Sequence, residues 1–164
     1  MLKIIITDID GVLTEGSVLV DAQGNEQKTI HFHDTDAAFL MRRQGLLLAM
    51  VTAEATPVTL VFRDYFQPDF FLNNAKSKGE AVSKLLQEQN ISPDEALYLG
   101  DGMLDLPAFQ IVKYTFCPAD SIPDIKALAS HQGSLPGGHG CLWEAWEWIL
   151  QEKLFVPKQS KYLF

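Results

Sequence analysis

The chain has 164 residues, of which 47% are hydrophobic, so it can bury one substantial core, and we expect a single domain over residues 1–164. Its formal net charge of −8 and its lack of a basic run argue against nucleic acid or an anionic membrane surface as the main partner. The apolar run within residues 1–10 is too short to span a bilayer and lacks a signal-peptide cleavage region, so we expect a cytoplasmic protein. Cys117 and Cys141 lack the spacing of a zinc site and are interpreted as free thiols.

The first third of the chain predicts two buried strands separated by a hairpin and a helix. A β-branched run at residues 2–7 ends in acidic residues, as a buried parallel strand does where it meets a loop. Residues 17–32 contain two strand-like segments around a polar turn, which predicts a β-hairpin that projects beyond the first strand. A helix follows at residues 36–44, with Gly45 as its stop, and residues 46–51 form the second core strand.

The middle of the chain continues this alternation. A helix at residues 57–66 begins with a proline in its first turn, and residues 70–72 form a short third strand. The clearest helix spans residues 77–89, where apolar side chains recur at helical spacing, and residues 96–99 form a fourth strand. Strands that alternate with helices through short connections predict an α/β, Rossmann-like parallel sheet with helices on both faces.

The last third adds one more strand and ends in a helix and a tail. A short helix is predicted at residues 106–110 and a fifth strand at residues 114–116. Glycine and proline make residues 132–140 a loop, and a last helix follows at residues 142–154. The tail at residues 156–164 is expected to be ordered only where it packs against another surface.

Polar side chains gather at one predicted edge of this sheet. In an open α/β sheet, ligands bind beyond the carboxyl ends of the strands. Four separate segments deliver polar groups to that edge, namely Asp8 with Asp10, Thr52, Lys78, and Asp101 with Asp105. The sequence therefore predicts one active site assembled from four segments.

Asp8 and its neighbours suit phosphoryl transfer. An aspartate can attack phosphorus and form an aspartyl-phosphate, which divides hydrolysis into two displacements. Mg²⁺ prefers oxygen ligands, so Asp8 and Asp101 fit as direct ligands, with the backbone carbonyl of Asp10 as a further one. The Asp10 side chain then stays free to protonate the leaving alkoxide and to take a proton from the attacking water.

The transferred phosphoryl group also needs donors for its oxygens. The Thr52 hydroxyl, the Ala53 amide and a lysine ammonium are the candidates, with Lys78 and Lys76 as competing lysines. Asp105 is interpreted as a supporting residue that holds Lys78 or a metal-bound water in place.

The ordered motifs resemble those of the haloacid dehalogenase superfamily. The matching segments are Asp8-Ile-Asp10-Gly-Val-Leu-Thr14, Thr52, Lys78 and Gly100-Asp101-Gly-Met-Leu-Asp105. The resemblance favours Lys78 over Lys76 as the phosphate ligand. It implies a phosphatase that uses Mg²⁺ to hydrolyse a small phosphorylated substrate through an aspartyl-phosphate.

Within this superfamily, the chain is similar over nearly its whole length to the 3-deoxy-manno-octulosonate 8-phosphate phosphatases. The hairpin after the first motif and the Gly137-Gly138-His139-Gly140 loop belong to this resemblance. It implies a sugar phosphate substrate, such as 3-deoxy-manno-octulosonate 8-phosphate or a nonulosonate 9-phosphate. It also implies a homotetramer and the absence of a large cap domain.

Several positions depart from the family pattern. Ala53 stands where glycine is usual, and Gly102 replaces an acid that is common in the fourth motif. The helix at residues 57–66 keeps only Arg63 of several arginines, and Trp143 stands at a position usually held by arginine. Because arginine binds carboxylates bidentately, these losses predict altered or relaxed specificity, toward a less acidic sugar phosphate or a different carboxylate clamp.

Glu54 and His139 are candidate substrate ligands. Glu54 follows the second motif, and a role as a cap of the next helix stays an equal alternative. His139 lies in the glycine-rich loop near the expected site, whereas His31 and His33 are interpreted as surface or structural histidines.

Two other functional classes share parts of this pattern. A phosphoacceptor receiver domain has a similar sheet, but it places its phosphoacceptor on strand three and its lysine after strand five. Here the acidic pair that includes the proposed nucleophile follows strand one, and another acidic motif comes after the lysine. A phosphate-binding or interaction domain that has lost catalysis is the remaining alternative, against which the retention of Asp8, Asp10, Lys78 and Asp101 counts.

Overall fold

A computed structural model describes residues 1–158, which form eight strands and six α-helices. The strands are β1 (Ile4–Thr7), β2 (Leu19–Val20), β3 (Glu26–Gln27), β4 (Leu47–Val51), β5 (Phe70–Leu72), β6 (Ala96–Leu99), β7 (Tyr114–Cys117) and β8 (His131–Gln132). The helices are α1 (Phe32–Arg43), α2 (Pro57–Phe66), α3 (Lys78–Glu88), α4 (Leu106–Phe109), α5 (Pro123–Leu128) and α6 (Cys141–Gln151). Short 3₁₀ turns occupy Pro93–Glu95 and Met103–Asp105.

The main sheet has six parallel strands in the order β5-β4-β1-β6-β7-β8, with β1 between β4 and β6. Parallel strands end at the same edge of a sheet, so the loops after β1, β4 and β6 lie side by side. The hairpin β2–β3 is antiparallel and forms a separate two-stranded sheet after β1. This arrangement places the first, second and fourth motifs next to one another.

Helices cover both faces of the main sheet. Side chains alternate along β1, so Ile5 points into one core while Ile4 and Ile6 point into the other. The first core contains residues of α1, α2 and α6, represented by Met41, Phe62 and Trp146. The second contains residues of α3, α4 and α5, represented by Val82, Phe109 and Ile125. The predicted α/β, Rossmann-like fold is confirmed, and residues 1–158 include the small hairpin but no large cap domain.

Helix α1 begins earlier than the sequence pattern predicts. The predicted second hairpin strand extended to residue 32, but β3 ends at Gln27 and α1 starts at Phe32. The aromatic and β-branched residues of this stretch favoured a strand, yet the Phe32 side chain is exposed and gains no burial from pairing. Asp34, in the first turn of α1, provides the tertiary contact that fixes this helix start.

Asp34 joins the first turn of α1 to the start of α6. It is fully buried, and its carboxylate accepts hydrogen bonds from the amides of Gly140, Leu142 and Trp143 at 3.2, 2.8 and 3.3 Å. Burial raises the pKa of Asp34, although these amides oppose the rise. The carboxylate thus satisfies helix N-terminal amides from a distant segment, a role that the sequence pattern did not reveal.

Two elements near the C-terminus were not predicted. Helix α5 has six residues, and β8 pairs only two residues with β7, so neither is long enough to show a clear periodicity. Helix α6 ends at Gln151, three residues before the predicted end. Most of the predicted tail lies outside the described residues, and the assignment of a single domain stays a prediction.

The end of the described chain packs against α1. The backbone amide of Lys158 donates to Gln44 Oε1 at 2.9 Å, next to the C-terminus of that helix. No helix within residues 1–158 has both the length and the apolar character needed to cross a bilayer.

Candidate active site

The predicted polar residues converge on one cleft at the carboxyl edge of the main sheet. This cleft, called the catalytic cleft below, has a volume of about 260 Å³. The predicted site residues that line it are Asp8, Asp10, Thr52, Ala53, Glu54, Lys78, Asp101 and Asp105. Four chain segments therefore meet as the sequence predicted, whereas His139 is not part of this lining.

Lys78 is the lysine that reaches the acidic residues. Its side chain is 4% exposed, and its Nζ lies 2.5 Å from Asp8 Oδ2 and 2.7 Å from Asp105 Oδ1. Burial disfavours the ammonium, but the two carboxylates outweigh burial and raise the pKa of Lys78 above its ordinary value. Lys76 is exposed, so the geometry favours Lys78.

Asp105 is buried, and its two oxygens accept four hydrogen bonds. Oδ1 accepts from Lys78 Nζ at 2.7 Å and from the Tyr98 hydroxyl at 2.6 Å. Oδ2 accepts from the backbone amides of Asp101 and Gly102, each at 3.0 Å. These donors come from three segments and hold the carboxylate in one orientation, which suits the supporting role predicted for it.

Tyr98 is a site residue that the sequence did not indicate. It lies in the middle of β6 and is fully buried, so it resembles any other core residue of a strand. Burial and the nearby Asp105 carboxylate raise the pKa of Tyr98 well above its ordinary value. Its hydroxyl is therefore a neutral donor to Asp105.

Three carboxylates share one ammonium in the catalytic cleft. Burial and the Asp105 charge raise the pKa of Asp8 well above its ordinary value, against the opposing effect of Lys78. The same two causes raise the pKa of Asp101 to about 6. The nearby charge of Lys78 is therefore insufficient to offset the burial and crowding of these acids.

This crowding suits a hard divalent cation. One oxygen from each of Asp8, Asp101 and Asp105 lies within 4.8 Å of the others. Asp105 already accepts four hydrogen bonds, so Asp8 and Asp101 are the carboxylates best placed to bind a metal directly. The further ligand from the Asp10 carbonyl stays a prediction.

Two glycines permit the close approach of the acidic residues. Gly11 has a φ of +87°, and a side chain on it would overlap the Asp101 carboxylate. A Cβ at Gly100 would lie 2.6 Å from both Cβ and Cγ of Asp105. The glycines of the first and fourth motifs therefore make room for the carboxylates of the fourth motif.

The second motif presents a hydroxyl and an amide to the catalytic cleft. Thr52 is buried, and its Oγ1 accepts a hydrogen bond from the Glu54 amide at 3.1 Å. Ala53 does not have a positive φ, so its backbone does not require glycine. The N-cap of α2 is Thr56, so the alternative interpretation of Glu54 as that cap is wrong.

The Asp10 side chain pairs with a lysine that the sequence pattern does not indicate. Lys28 Nζ lies 2.7 Å from Asp10 Oδ1, and the Lys28 side chain is 7% exposed. Lys28 follows β3 in a polar stretch, where a lone lysine gives no sign of burial. The hairpin therefore supplies a charged partner to the proposed acid and base.

His139 contacts its own loop rather than the catalytic cleft. Its Nδ1 lies 2.9 Å from the carbonyl oxygen of Gly137, and its side chain is about half exposed. The loop does support the first motif, because the Gly138 amide donates to the Val12 carbonyl at 2.9 Å. A substrate contact by His139 stays a prediction.

Comparisons with known proteins agree with this geometry. Residues 52–136 match the family model of haloacid dehalogenase-like hydrolases. The 3-deoxy-D-manno-octulosonate 8-phosphate phosphatase of Haemophilus influenzae is 30% identical over 151 residues, which cover 92% of this chain and 83% of that protein.

Two solved structures with metal ions share the fold. The cobalt-bound deoxy-D-mannose-octulosonate 8-phosphate phosphatase from Haemophilus influenzae matches with a TM-score of 0.86 at 29% identity, over 92% of this chain and 88% of that one. The 3-deoxy-D-manno-octulosonate 8-phosphate phosphatase from Moraxella catarrhalis, in complex with magnesium, phosphate and the sugar, matches with a TM-score of 0.87 over 92% of this chain and 86% of that one. Its identity of 21% supports the fold alone.

These matches confirm the predicted resemblance and the enzyme class. The relatives are phosphatases, they align with most of the chain, and the family model includes the second, third and fourth motifs. The prediction of an enzyme of the phosphatase class is therefore confirmed. The chain belongs to the haloacid dehalogenase-like hydrolase family.

Proposed function

We propose that this chain hydrolyses a phosphomonoester with Mg²⁺, through an aspartyl-phosphate formed on Asp8. The observation that carries the proposal is the buried ion pair of Asp8 with Lys78, beside Asp101 at the carboxyl ends of β1 and β6. This arrangement supports the proposal, because the reaction needs a nucleophile, a cation for the phosphate oxygens and a metal-binding carboxylate close together.

Two displacements complete the reaction. First, an Asp8 oxygen attacks phosphorus, the bond from phosphorus to the ester oxygen breaks, and Asp10 gives a proton to the leaving oxygen. Water then attacks the same phosphorus, its proton passes to Asp10, and the bond to Asp8 breaks to release inorganic phosphate. General acid–base catalysis of this kind contributes about 10²–10⁴-fold to the rate.

The remaining residues hold the phosphoryl group and its counter-ions. The Thr52 hydroxyl, the Ala53 amide and the Lys78 ammonium donate to the phosphoryl oxygens, while Asp105 keeps Lys78 in place. Asp8, Asp101 and the Asp10 carbonyl would hold Mg²⁺. When bound, the ion supplies positive charge to the phosphoryl oxygens and to the crowded carboxylates.

Phosphate release with and without Mg²⁺ tests this function. Asp8→Asn should abolish turnover while preserving the fold, because the amide is a poor nucleophile of nearly the same shape. Asp64→Asn is the matched control, since Asp64 is an exposed aspartate of α2 outside the catalytic cleft. Full activity of Asp8→Asn in the presence of Mg²⁺ would remove Asp8 as the nucleophile.

We propose a sugar phosphate as the substrate, with the sugar in a second cleft that adjoins the first. This sugar cleft has a volume of about 240 Å³ and shares Asp10 and Glu54 with the catalytic cleft. Its charged residues are Asp10, Glu26, Lys28 and Glu54, and its lysine is paired with Asp10. Carboxylates accept hydrogen bonds from sugar hydroxyls, whereas they repel a sugar carboxylate.

The charge of the sugar cleft therefore favours a less acidic sugar than the octulosonate of the relatives. Arg63 is exposed and pairs with Asp64 at 2.8 Å, and Trp143 provides no cation. A panel should compare kcat/KM for 3-deoxy-manno-octulosonate 8-phosphate, a nonulosonate 9-phosphate and neutral hexose phosphates. Strong selectivity for the octulosonate would contradict the proposed preference but leave the phosphoryl-transfer mechanism intact.

We also propose that the chain assembles as a homotetramer through the hairpin. Val18, Leu19 and Val20 expose 44, 70 and 55% of their surfaces, which is an unusual run of three apolar residues next to the sugar cleft. A neighbouring subunit that covers them would exclude water from the cleft. Light scattering that shows only a fully active monomer at working concentrations would refute this role of assembly.

A further inference from the structure

We propose that Lys28 is a positioning residue, which fixes the Asp10 carboxylate for proton exchange with the leaving oxygen. The proposal rests on the function proposed above, in which Asp10 is the acid and base. It adds a residue from the hairpin to a site otherwise built from the ends of the main sheet.

The burial of its side chain distinguishes Lys28 from the two strands of the hairpin. The residues of β2 and β3 are all exposed, yet the Lys28 side chain is 7% exposed and its Nζ lies 2.7 Å from Asp10 Oδ1. A lysine is rarely buried without a charged partner, because its ammonium loses its hydration. Within residues 1–158, Asp10 provides this charged partner for Lys28.

The side-chain contacts of Asp10 with Lys28 and Thr14 both involve the same carboxylate oxygen. Oδ1 accepts from Lys28 Nζ at 2.7 Å and from Thr14 Oγ1 at 3.5 Å. Thr14 is held in turn by the amides of Gly11 and Gly16, at 3.3 and 3.2 Å. Neither of these two contacts involves Oδ2, and the Asp10 side chain as a whole is 31% exposed. Lys28 therefore anchors one oxygen and leaves the other for proton exchange.

The pair lies where the two clefts meet. Asp10 lines both the catalytic cleft and the sugar cleft, and Lys28 lines the sugar cleft. The ester oxygen of a bound sugar phosphate must lie at this junction, between the phosphorus and the sugar. Lys28 is therefore placed to set the direction of the Asp10 carboxylate at the bond that breaks.

A purely structural ion pair would behave differently. If Lys28 only anchored the hairpin, its loss would slow every substrate by a similar factor. If it acts through Asp10, its loss should matter most when the leaving oxygen needs a proton. An alkyl leaving group needs that proton, whereas a nitrophenolate leaves readily without one.

The test compares single-turnover release of the alcohol from a sugar phosphate and from p-nitrophenyl phosphate, both with Mg²⁺. This measurement isolates the first displacement, before water needs Asp10 as a base. Lys28→Met should slow release from the sugar phosphate by about 10–100-fold, while release of p-nitrophenol changes by less than about threefold. Lys28→Gln, which keeps N–H donors but no charge, should show the same selectivity with a smaller loss.

Two comparisons make the result specific. Lys84→Met, at an exposed lysine of α3, should leave both rates unchanged. In an Asp10→Asn background, Lys28→Met should add less than about twofold on the sugar phosphate, because residues that act through one another are not additive. Equal losses on both substrates, or additive losses in the double variant, would overturn the positioning role. A wild-type chain that releases phosphate from neither ester would instead contradict the proposed function itself.

Discussion

Magnesium should stabilise the folded chain, and this stabilisation should weaken below about pH 6. Burial and the Asp105 charge raise the pKa of Asp101 to about 6, and they raise that of Asp8 well above its ordinary value. Because Mg²⁺ binds ionised carboxylates, protons compete with the ion at low pH. The affinity for Mg²⁺ should therefore fall as the pH drops through the pKa of Asp101.

The size of the effect follows from linkage. At a hundred times its Kd, a ligand stabilises the native state by about 2.7 kcal/mol, which corresponds to a rise in Tm of about 5–11 °C for a chain of this length. At pH 5, a carboxyl with a pKa of about 6 is ionised in roughly one molecule in ten. The affinity then falls about tenfold and the stabilisation about halves, to about 1.4 kcal/mol. The raised pKa of Asp8 acts in the same direction.

Thermal unfolding with and without Mg²⁺ at pH 7.5 and pH 5 provides the measurement. The metal-free protein should show the opposite trend, because its native state binds more protons than the unfolded chain between the ordinary pKa of 3.8 and about 6. The contribution of Asp101 to the stability of the metal-free protein therefore falls as the pH rises through that window. Asp101→Asn should remove most of the Mg²⁺ effect, and Asp64→Asn should retain it. An equal rise in Tm at both pH values, or none at pH 7.5, would refute this reasoning.

Two further substitutions test the scaffold of the site. Asp34→Ala should lower the free energy of unfolding, measured in urea, by about 2–3 kcal/mol, because three amides at the start of α6 lose their acceptor. Asp36→Ala, at an exposed aspartate of α1, is the control. A change below about 0.5 kcal/mol in Asp34→Ala would contradict the capping role. Gly11→Ala should lower kcat about 100-fold, because its side chain displaces the Asp101 carboxylate. Gly102→Ala should be tolerated, because a Cβ there meets nothing within 4 Å, and equal activity losses in the two alanine variants would argue against this steric account.

The sequence predicts the main elements because their signals are local. The run before Asp8 and the helical spacing within α3 each identify an element without reference to the rest of the chain. The carboxyl-edge rule then places the four motifs together. The start of α1 could not be predicted from local signals, because the contacts of Asp34 join residues that are 106 or more positions apart.

The candidate site was predictable where residue type and motif order carry the information. Asp8, Lys78 and Asp101 belong to ordered motifs, and the structure brings them together. Tyr98 and Lys28 were missed, because one resembles a core residue of a strand and the other a solvated residue of a hairpin. Only the folded chain shows that both donate to acidic residues of the site.

The distribution of charge is compatible with the proposed phosphate site, although the chain is acidic overall. Lys78 pairs with Asp105 and with Asp8, the proposed nucleophile, while Lys28 pairs with Asp10 beside the proposed sugar cleft. Asp101 forms no direct ion pair with a lysine within residues 1–158, and burial and the Asp105 charge raise its pKa despite the opposing charge of Lys78. A metal ion on Asp101 and Asp8 would restore positive charge on the side where phosphate enters. In the proposed mechanism the two lysines serve separate steps, one at the phosphoryl group and one at the leaving oxygen, so their loss should produce different kinetic defects.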